Sequence, residues 1–212
     1  MLETIKAQMN PHFIFNSLNT IQSFVYTHDK KNASKFIGKF SELVRNILNN
    51  SSKQTVTLTK EIEMLVLYLE LENLRFEDSL EVEFDINPQM DTDNIRIPAM
   101  LIQPYVENAV VHGLFHKKDT KHLSIKIDKM AEDYLEIIIE DNGIGRAKSN
   151  MINRHHKGHE SFANSANEKR IDLLNQYSGK KIILEITDKV GEQEVGTGTI
   201  VRLLIPLTMQ ES

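Results

Sequence analysis

The sequence predicts an α+β protein: an N-terminal helical hairpin followed by a two-layer α/β sandwich with a mixed sheet. Two observations predict it. Consecutive helix-periodic segments open the chain, joined by a turn; beyond them, short alternating apolar runs with hairpin-like spacing are interspersed with helical patterns. The 212 residues suffice for one full domain plus a helical appendage.

Taken in order, the first helix is the most unusual. Ala7 to Thr27 carries no Asp, Glu, Lys or Arg. At helical spacing Gln8, His12, Asn16, Asn19 and Ser23 form one stripe, and Phe13, Ile14, Leu18, Ile21 and Val25 an apolar face beside it. The run is long enough to span a bilayer, but its amides and Pro11 argue against a membrane helix. A surface helix normally carries charge opposite its apolar face. Neutral hydrogen-bonding groups around one imidazole suggest instead a face that docks and releases; a buried, satisfied histidine is the plain alternative.

A turn at Asp29-Lys30-Lys31-Asn32 leads to a second amphipathic helix, with Ala33, Phe36, Ile37, Phe40, Leu43, Val44, Ile47 and Leu48 on one side. A lone hairpin leaves apolar surface uncovered. Pairing into a four-helix bundle is the expected solution, hence a homodimer, unless the chain's own second domain takes that surface. A third helix starts at Thr57-Leu58-Thr59-Lys60-Glu61-Ile62 with a threonine N-cap and runs to about Phe76. Val82, Phe84 and Ile86 alternate with acids in a half-exposed strand. A helix is expected over Pro98–His112, strands at Leu123–Lys129, Leu135–Glu140, Lys181–Thr187 and Thr199–Ile205, and a helix at about Asn167–Gln176. Arg146 to Asn167, polar and poor in apolar residues, reads as a mobile loop. The domain division expected is 1–54 and 55–212.

Composition narrows the class. Hydrophobic content of 40% and charged content of 26% are ordinary for a globular protein. A net charge of −5 gives no sign of nucleic-acid binding. The absence of cysteine removes disulfides and thiolate metal sites. No signal peptide is recognisable.

Three motifs stand in order: Gln8-Met9-Asn10-Pro11-His12-Phe13-Ile14-Phe15-Asn16; then Gln103-Pro104 followed by Glu107-Asn108-Ala109 and His112-Gly113; then Asp141-Asn142-Gly143-Ile144-Gly145-Arg146 behind an isoleucine-rich strand. Each has a plain reading: a helix histidine, a capping or buried Asn, an Asp-Asn-Gly turn. Chemically, an amide oxygen such as that of Asn108 is a hard ligand suited to Mg²⁺. Asp141 can accept a hydrogen bond, while Gly143 and Gly145 permit close backbone approach or positive φ.

Together, over about Ile5 to Pro206, these motifs resemble the sensor histidine kinases of the LytS-like class, whose ATP-binding domain is of the type shared with gyrase, Hsp90 and MutL. The resemblance implies His12 as phosphoacceptor, with Asn16 orienting its imidazole and Glu107 as candidate base. It implies Asn108 as Mg²⁺ ligand, His112 bordering the nucleotide, Asp141 on the adenine amine, and Arg170 on phosphate. The cofactors expected are ATP and Mg²⁺, and the partner is the receiver aspartate of a response regulator. The cytoplasmic end of a longer membrane receptor is also implied. Two departures stand out. No glycine occurs in Ser161-Phe162-Ala163-Asn164-Ser165-Ala166, where a second glycine motif often lies, leaving Ser161 or Asn164 as substitutes; and Phe13 follows the histidine where commoner kinases carry an acid. The altered segment keeps open a non-catalytic, nucleotide-switched scaffold, and the fold an ATPase. His155, His156 and His159, and the pair His112 and His116, have no acidic or thiol ligands at matching spacing, so a metal cluster is not expected there. Gly196-Thr197-Gly198-Thr199 resembles a closing family segment but reads as a hairpin turn.

Overall fold

The computed structural model describes residues 11–51, 53–77, 79–130, 133–153, 160–176, 179–190 and 196–207. Helices α1 (Pro11–Tyr26) and α2 (Lys30–Ser51) form the expected hairpin. Asp29 caps α2: its carboxylate accepts from the Asn32 N–H at 3.0 Å. Strand β1 (Thr55–Thr57) leads into α3 (Leu58–Arg75), whose N-cap is Thr57, with Oγ1 accepting from the Lys60 N–H at 3.3 Å. Then come β2 (Leu80–Ile86), β3 (Arg96–Pro98), α4 (Gln103–Asn108), a π-helical turn (Ala109–Leu114), β4 (Lys121–Met130) and β5 (Tyr134–Asp141). Last are α5 (Arg146–Asn153), α6 (Glu160–Gln176), β6 (Ile183–Val190) and β7 (Gly196–Pro206).

The five-stranded sheet has the order β2-β4-β5-β7-β6. β2 and β4 run parallel and the other pairs antiparallel, so the sheet is mixed as expected. β1 and β3 form a separate antiparallel pair that the sequence pattern does not announce. Alternation explains the two layers. Leu123, Ile125 and Ile127, Leu135, Ile137 and Ile139, and Val201, Leu203 and Ile205 are buried toward the helices. The opposite face is polar: Arg202 donates to Glu136 at 2.6 Å and to Glu185 at 3.0 Å.

The hairpin does not leave its inner face for another molecule. Phe13, Phe36, Leu43 and Ile47 are buried in one core with Met64, Leu65 and Tyr68 of α3, and the Phe13 ring lies 5.3 Å from that of Tyr68. On α1 the buried line is Phe13, Ser17 and, in part, Ile21 and Phe24; Leu18 and Val25, expected on the apolar face, are exposed. The chain's own third helix thus takes the surface that a bundle partner was expected to cover.

Three further expectations are corrected. The helix expected from Pro98 starts at Gln103, because Met100 stands at φ 55° and breaks any helical path before it. The described part of the polar stretch after Arg146 is helical, as α5 and the start of α6; Arg146 anchors it through Asp188 at 2.7 and 2.9 Å. Gly196 to Thr199 begin β7 opposite Asp141 and form no turn.

Gly38 lies exposed in the middle of α2, and a Cβ built on it meets nothing within 4 Å. Gly38→Ala is therefore expected to stabilise the fold by about 1 kcal/mol through helix propensity. Urea unfolding of the two proteins checks it; an unchanged or lower midpoint contradicts the placement.

Candidate nucleotide and phosphoacceptor site

The site is built where the end of β5 meets the helix carrying Asn108. Asp141, the last residue of β5, is 3% exposed. Its Oδ1 accepts from the Gly143 N–H at 2.7 Å, and burial pushes its carboxyl up to about 6, against the backbone N–H groups of Gly143 and Thr199 that hold it down. Three chain segments crowd it only because they lack side chains. A Cβ on Gly113 would lie 2.7 Å from Asp141 Oδ1, one on Gly143 would lie 2.4 Å from the carbonyl carbon of Gly113, and one on Gly198 would lie 2.0 Å from the Asp141 carbonyl oxygen. Gly145 adopts φ 75°, the positive-φ role expected of it. The Ile144 N–H donates to the Gly113 carbonyl at 3.0 Å, locking the Asp-Asn-Gly turn to the helix end.

Asn142, which the sequence reading passes over, staples the same turn from the other side. Its Oδ1 accepts from the His122 N–H at 2.9 Å, its Nδ2 donates to the Thr120 carbonyl at 3.1 Å, and Lys117 Nζ donates to its carbonyl at 2.7 Å. A turn asparagine carries no signal that distinguishes this role.

Asn108 ends α4 and His112 lies in the π turn that continues it; both are half-buried. The π turn closes with an i→i+5 bond, Phe115 N–H to Val110 carbonyl at 2.9 Å. Such turns inside helices recur at functional sites. Glu107 faces α3. Gln103 Nε2 donates to its Oε1 at 2.8 Å, and burial, opposed by that bond and assisted by Glu72, pushes its carboxyl up to about 7. Burial, then Glu72 and Glu107, push the phenol of Tyr68 well above its ordinary value. Tyr68 therefore stands between Glu107 and Phe13, the neighbour of His12. Glu72 itself is held by Arg75 Nη1 at 3.1 and 2.9 Å.

His12 lies in the first turn of α1, and its side chain is outside the described residues. Asn16, one turn on, is half-buried, and its carbonyl accepts from Thr20 Oγ1 at 3.0 Å. The structure thus gathers Gly113, Asp141, Gly143 and Gly145 with the Asn108–His112 helix. Arg170 stands apart from that group: its Nη1 donates to the Met100 carbonyl at 3.1 Å and its Nη2 to that of Ala99. His155, His156 and His159, and the side chains of Ser161 and Asn164, lie outside the described residues.

Among the described residues no group of three His, Cys, Asp or Glu could cage a metal. One half-buried amide beside a buried acid does fit Mg²⁺, which is held largely by waters and substrate phosphates. No described helix is long and apolar enough to cross a membrane.

Comparison with known proteins agrees with this geometry. A family model described as histidine kinase matches residues 1–80. Sensor protein LytS of Staphylococcus epidermidis is 30% identical over 97% of this chain and 33% of its own length. Sensor histidine kinase/phosphatase LytS of Staphylococcus aureus is 30% identical over 99% of this chain and 35% of its own. The chain thus spans about a third of the length of these curated relatives. The histidine kinase domain of the blue-light activated histidine kinase from Erythrobacter litoralis EL346 shares the fold, with TM-score 0.50 and 16% identity over 99% of this chain and 94% of that one. With its three motifs on these elements, the chain belongs to the histidine kinase family, in its LytS-like class.

Proposed function

We propose that this chain is the kinase portion of a two-component sensor: it transfers the γ-phosphoryl group of ATP to His12 and from there to the receiver aspartate of a response regulator. The observation that carries the reading is the socket around Asp141, a buried carboxyl enclosed by glycine backbone at the strand end that meets the Asn108 helix. Such a socket admits a flat ring close to the main chain and offers one acceptor to an exocyclic amine, as adenine requires. His112 borders the same space.

In the transfer, the neutral imidazole of His12, with a reference pKa of about 6.5, attacks the γ-phosphorus. The N–P bond forms as the bond to the ADP oxygen breaks, and the imidazole proton passes to the Glu107 carboxylate; Asn16 orients the ring. Bound at the Asn108 amide and the phosphates, Mg²⁺ would supply charge neutralisation. We read residues 1–54 as the dimerisation and phosphotransfer unit and 55–212 as the ATP-binding unit, working as the cytoplasmic end of a membrane-anchored receptor. The outer face of the hairpin supports a second copy as partner: Phe15, Leu18, Val25 and Tyr26 of α1 are 52–72% exposed.

Incubation with γ-labelled ATP and Mg²⁺ tests the reading. The chain is expected to acquire acid-labile, base-stable label, absent in His12→Gln and reduced about 100-fold or more in Asn108→Ala. Label that survives His12→Gln removes the histidine from the reaction. Phosphate release without label indicates an ATPase, and nucleotide binding without either, a scaffold.

A further inference from the structure

We infer that Arg170 is a positioning residue: working with Glu61 through the Ala99–Ile102 turn, it sets the helix that presents Asn108, and it is not a phosphate ligand. The inference rests on the nucleotide reading above and concerns how the metal side of that site is held.

The turn between Pro98 and Gln103 is clamped at every polar backbone edge that matters. Glu61, fully buried on α3, accepts from the Met100 N–H at 2.9 Å through Oε2 and from the Ile102 N–H at 3.1 Å through Oε1. Arg170, on α6, donates to the carbonyls of Met100 and Ala99. Met100 is held at φ 55°, a conformation that a side-chain-bearing residue keeps only when its surroundings over-determine it. Helix α4 has no side-chain cap of its own; its N-cap residue is Ile102, whose N–H is the one that Glu61 takes. The start of the Asn108 helix is thus fixed by an acid forty-one residues before it and a guanidinium well after it.

A guanidinium that binds phosphate presents two parallel N–H groups to it. In Arg170 both terminal nitrogens are committed to carbonyls, and the side chain is half-buried under the turn. Its departure would strip two carbonyls of their donors and leave Glu61, whose carboxyl burial already pushes up, without its opposing charge. Arg170 also lies beside Tyr105 of α4, as Glu168 does, so α6 bears on this helix at two places. Because α6 follows the segment that borders the site, the clamp ties that segment to the metal side of the site.

The test compares the unsubstituted chain with Arg170→Met, Arg170→Lys and Glu61→Gln. Affinities for ATP, ADP and adenosine are measured with Mg²⁺ and with EDTA, and amide exchange over residues 99–108 without nucleotide. Arg170→Met is expected to lose about tenfold in ATP affinity only when Mg²⁺ is present, the scale of a lost supporting contact behind a metal ligand. Exchange at 99–108 should quicken in the same protein, Arg170→Lys should recover part of both effects, and Glu61→Gln should repeat the pattern. A loss that persists in EDTA and grows from adenosine to ADP to ATP would make Arg170 a phosphate ligand and overturn the inference. Unchanged exchange in Arg170→Met, or in Arg170→Lys should the first fail to fold, overturns it too. No nucleotide binding by the unsubstituted chain overturns the underlying function reading as well, which separates the two failures.

Discussion

Asp141→Asn is expected to make the fold more stable while removing most of its nucleotide affinity. Burial holds the carboxyl at about 6 in the fold, above its value in an unfolded chain. The folded state therefore keeps a proton that the unfolded chain has released between roughly pH 4 and 6, and stability falls as pH rises through that window. Above it the ionised fold is penalised by up to about 3 kcal/mol, at 1.36 kcal/mol per pKa unit. An asparagine is neutral throughout and keeps an acceptor for the Gly143 N–H, though it turns an amide toward one of the two backbone donors, a loss of about 1 kcal/mol. The net gain of roughly 2 kcal/mol corresponds to a Tm rise of roughly 4–8 °C at neutral pH. It should vanish near pH 4, where the native side chain is also neutral. Nucleotide affinity should move the other way, because a hydrogen bond to a charged acceptor contributes about 1.5–3 kcal/mol, roughly 10- to 150-fold. Thermal melts and ATP titrations between pH 4 and 8 measure both; unchanged affinity would exclude Asp141 from the nucleotide site.

Gly198→Ala is expected to carry the largest loss of stability. Gly198 has φ 139°, and a Cβ there would lie 2.0 Å from the Asp141 carbonyl oxygen and 2.9 Å from its carbonyl carbon. These are backbone atoms of a central strand paired in register with β7, so neither side can yield without breaking the ladder. Overpacking of about 1–3 kcal/mol adds to backbone strain of similar size, giving a loss of roughly 3–5 kcal/mol. Urea midpoints measured beside Gly38→Ala give opposite signs if the packing is as described. A loss below about 1 kcal/mol would show that β7 does not approach Asp141 so closely.

What was legible in the chain was whatever its near neighbours determine. Alternating isoleucines announce β4, β5 and β7 to within a few residues, and the threonine cap announces α3. The motif residues on α4 and at the end of β5 come together because two adjacent elements carry them. What was not legible depends on distant partners. The helix start at Gln103 is set by Glu61 and Arg170, far away on either side. Gly198 reads as a turn glycine until Asp141 is brought against it. Polar composition around Arg146 reads as loop, yet its ion pair to Asp188 holds a helix. The apolar face of the hairpin announces a partner but not which one, and α3 of the same chain proves to be it.

The π turn at Ala109–Leu114 has a consequence of chain length. A hydrogen-bonded ring closed five residues apart holds one residue more than the α-helical ring it replaces. Removing one residue there would let the segment wind as an ordinary α-helix, with its apolar residues still able to pack. Everything beyond the deletion would nevertheless turn by about 100°, the angle of one α-helical residue. Gly113 would leave Asp141, and a side chain would arrive where only backbone fits. At this site the number of residues matters as much as their identity, so deletions along the helix would disable it where many substitutions would not.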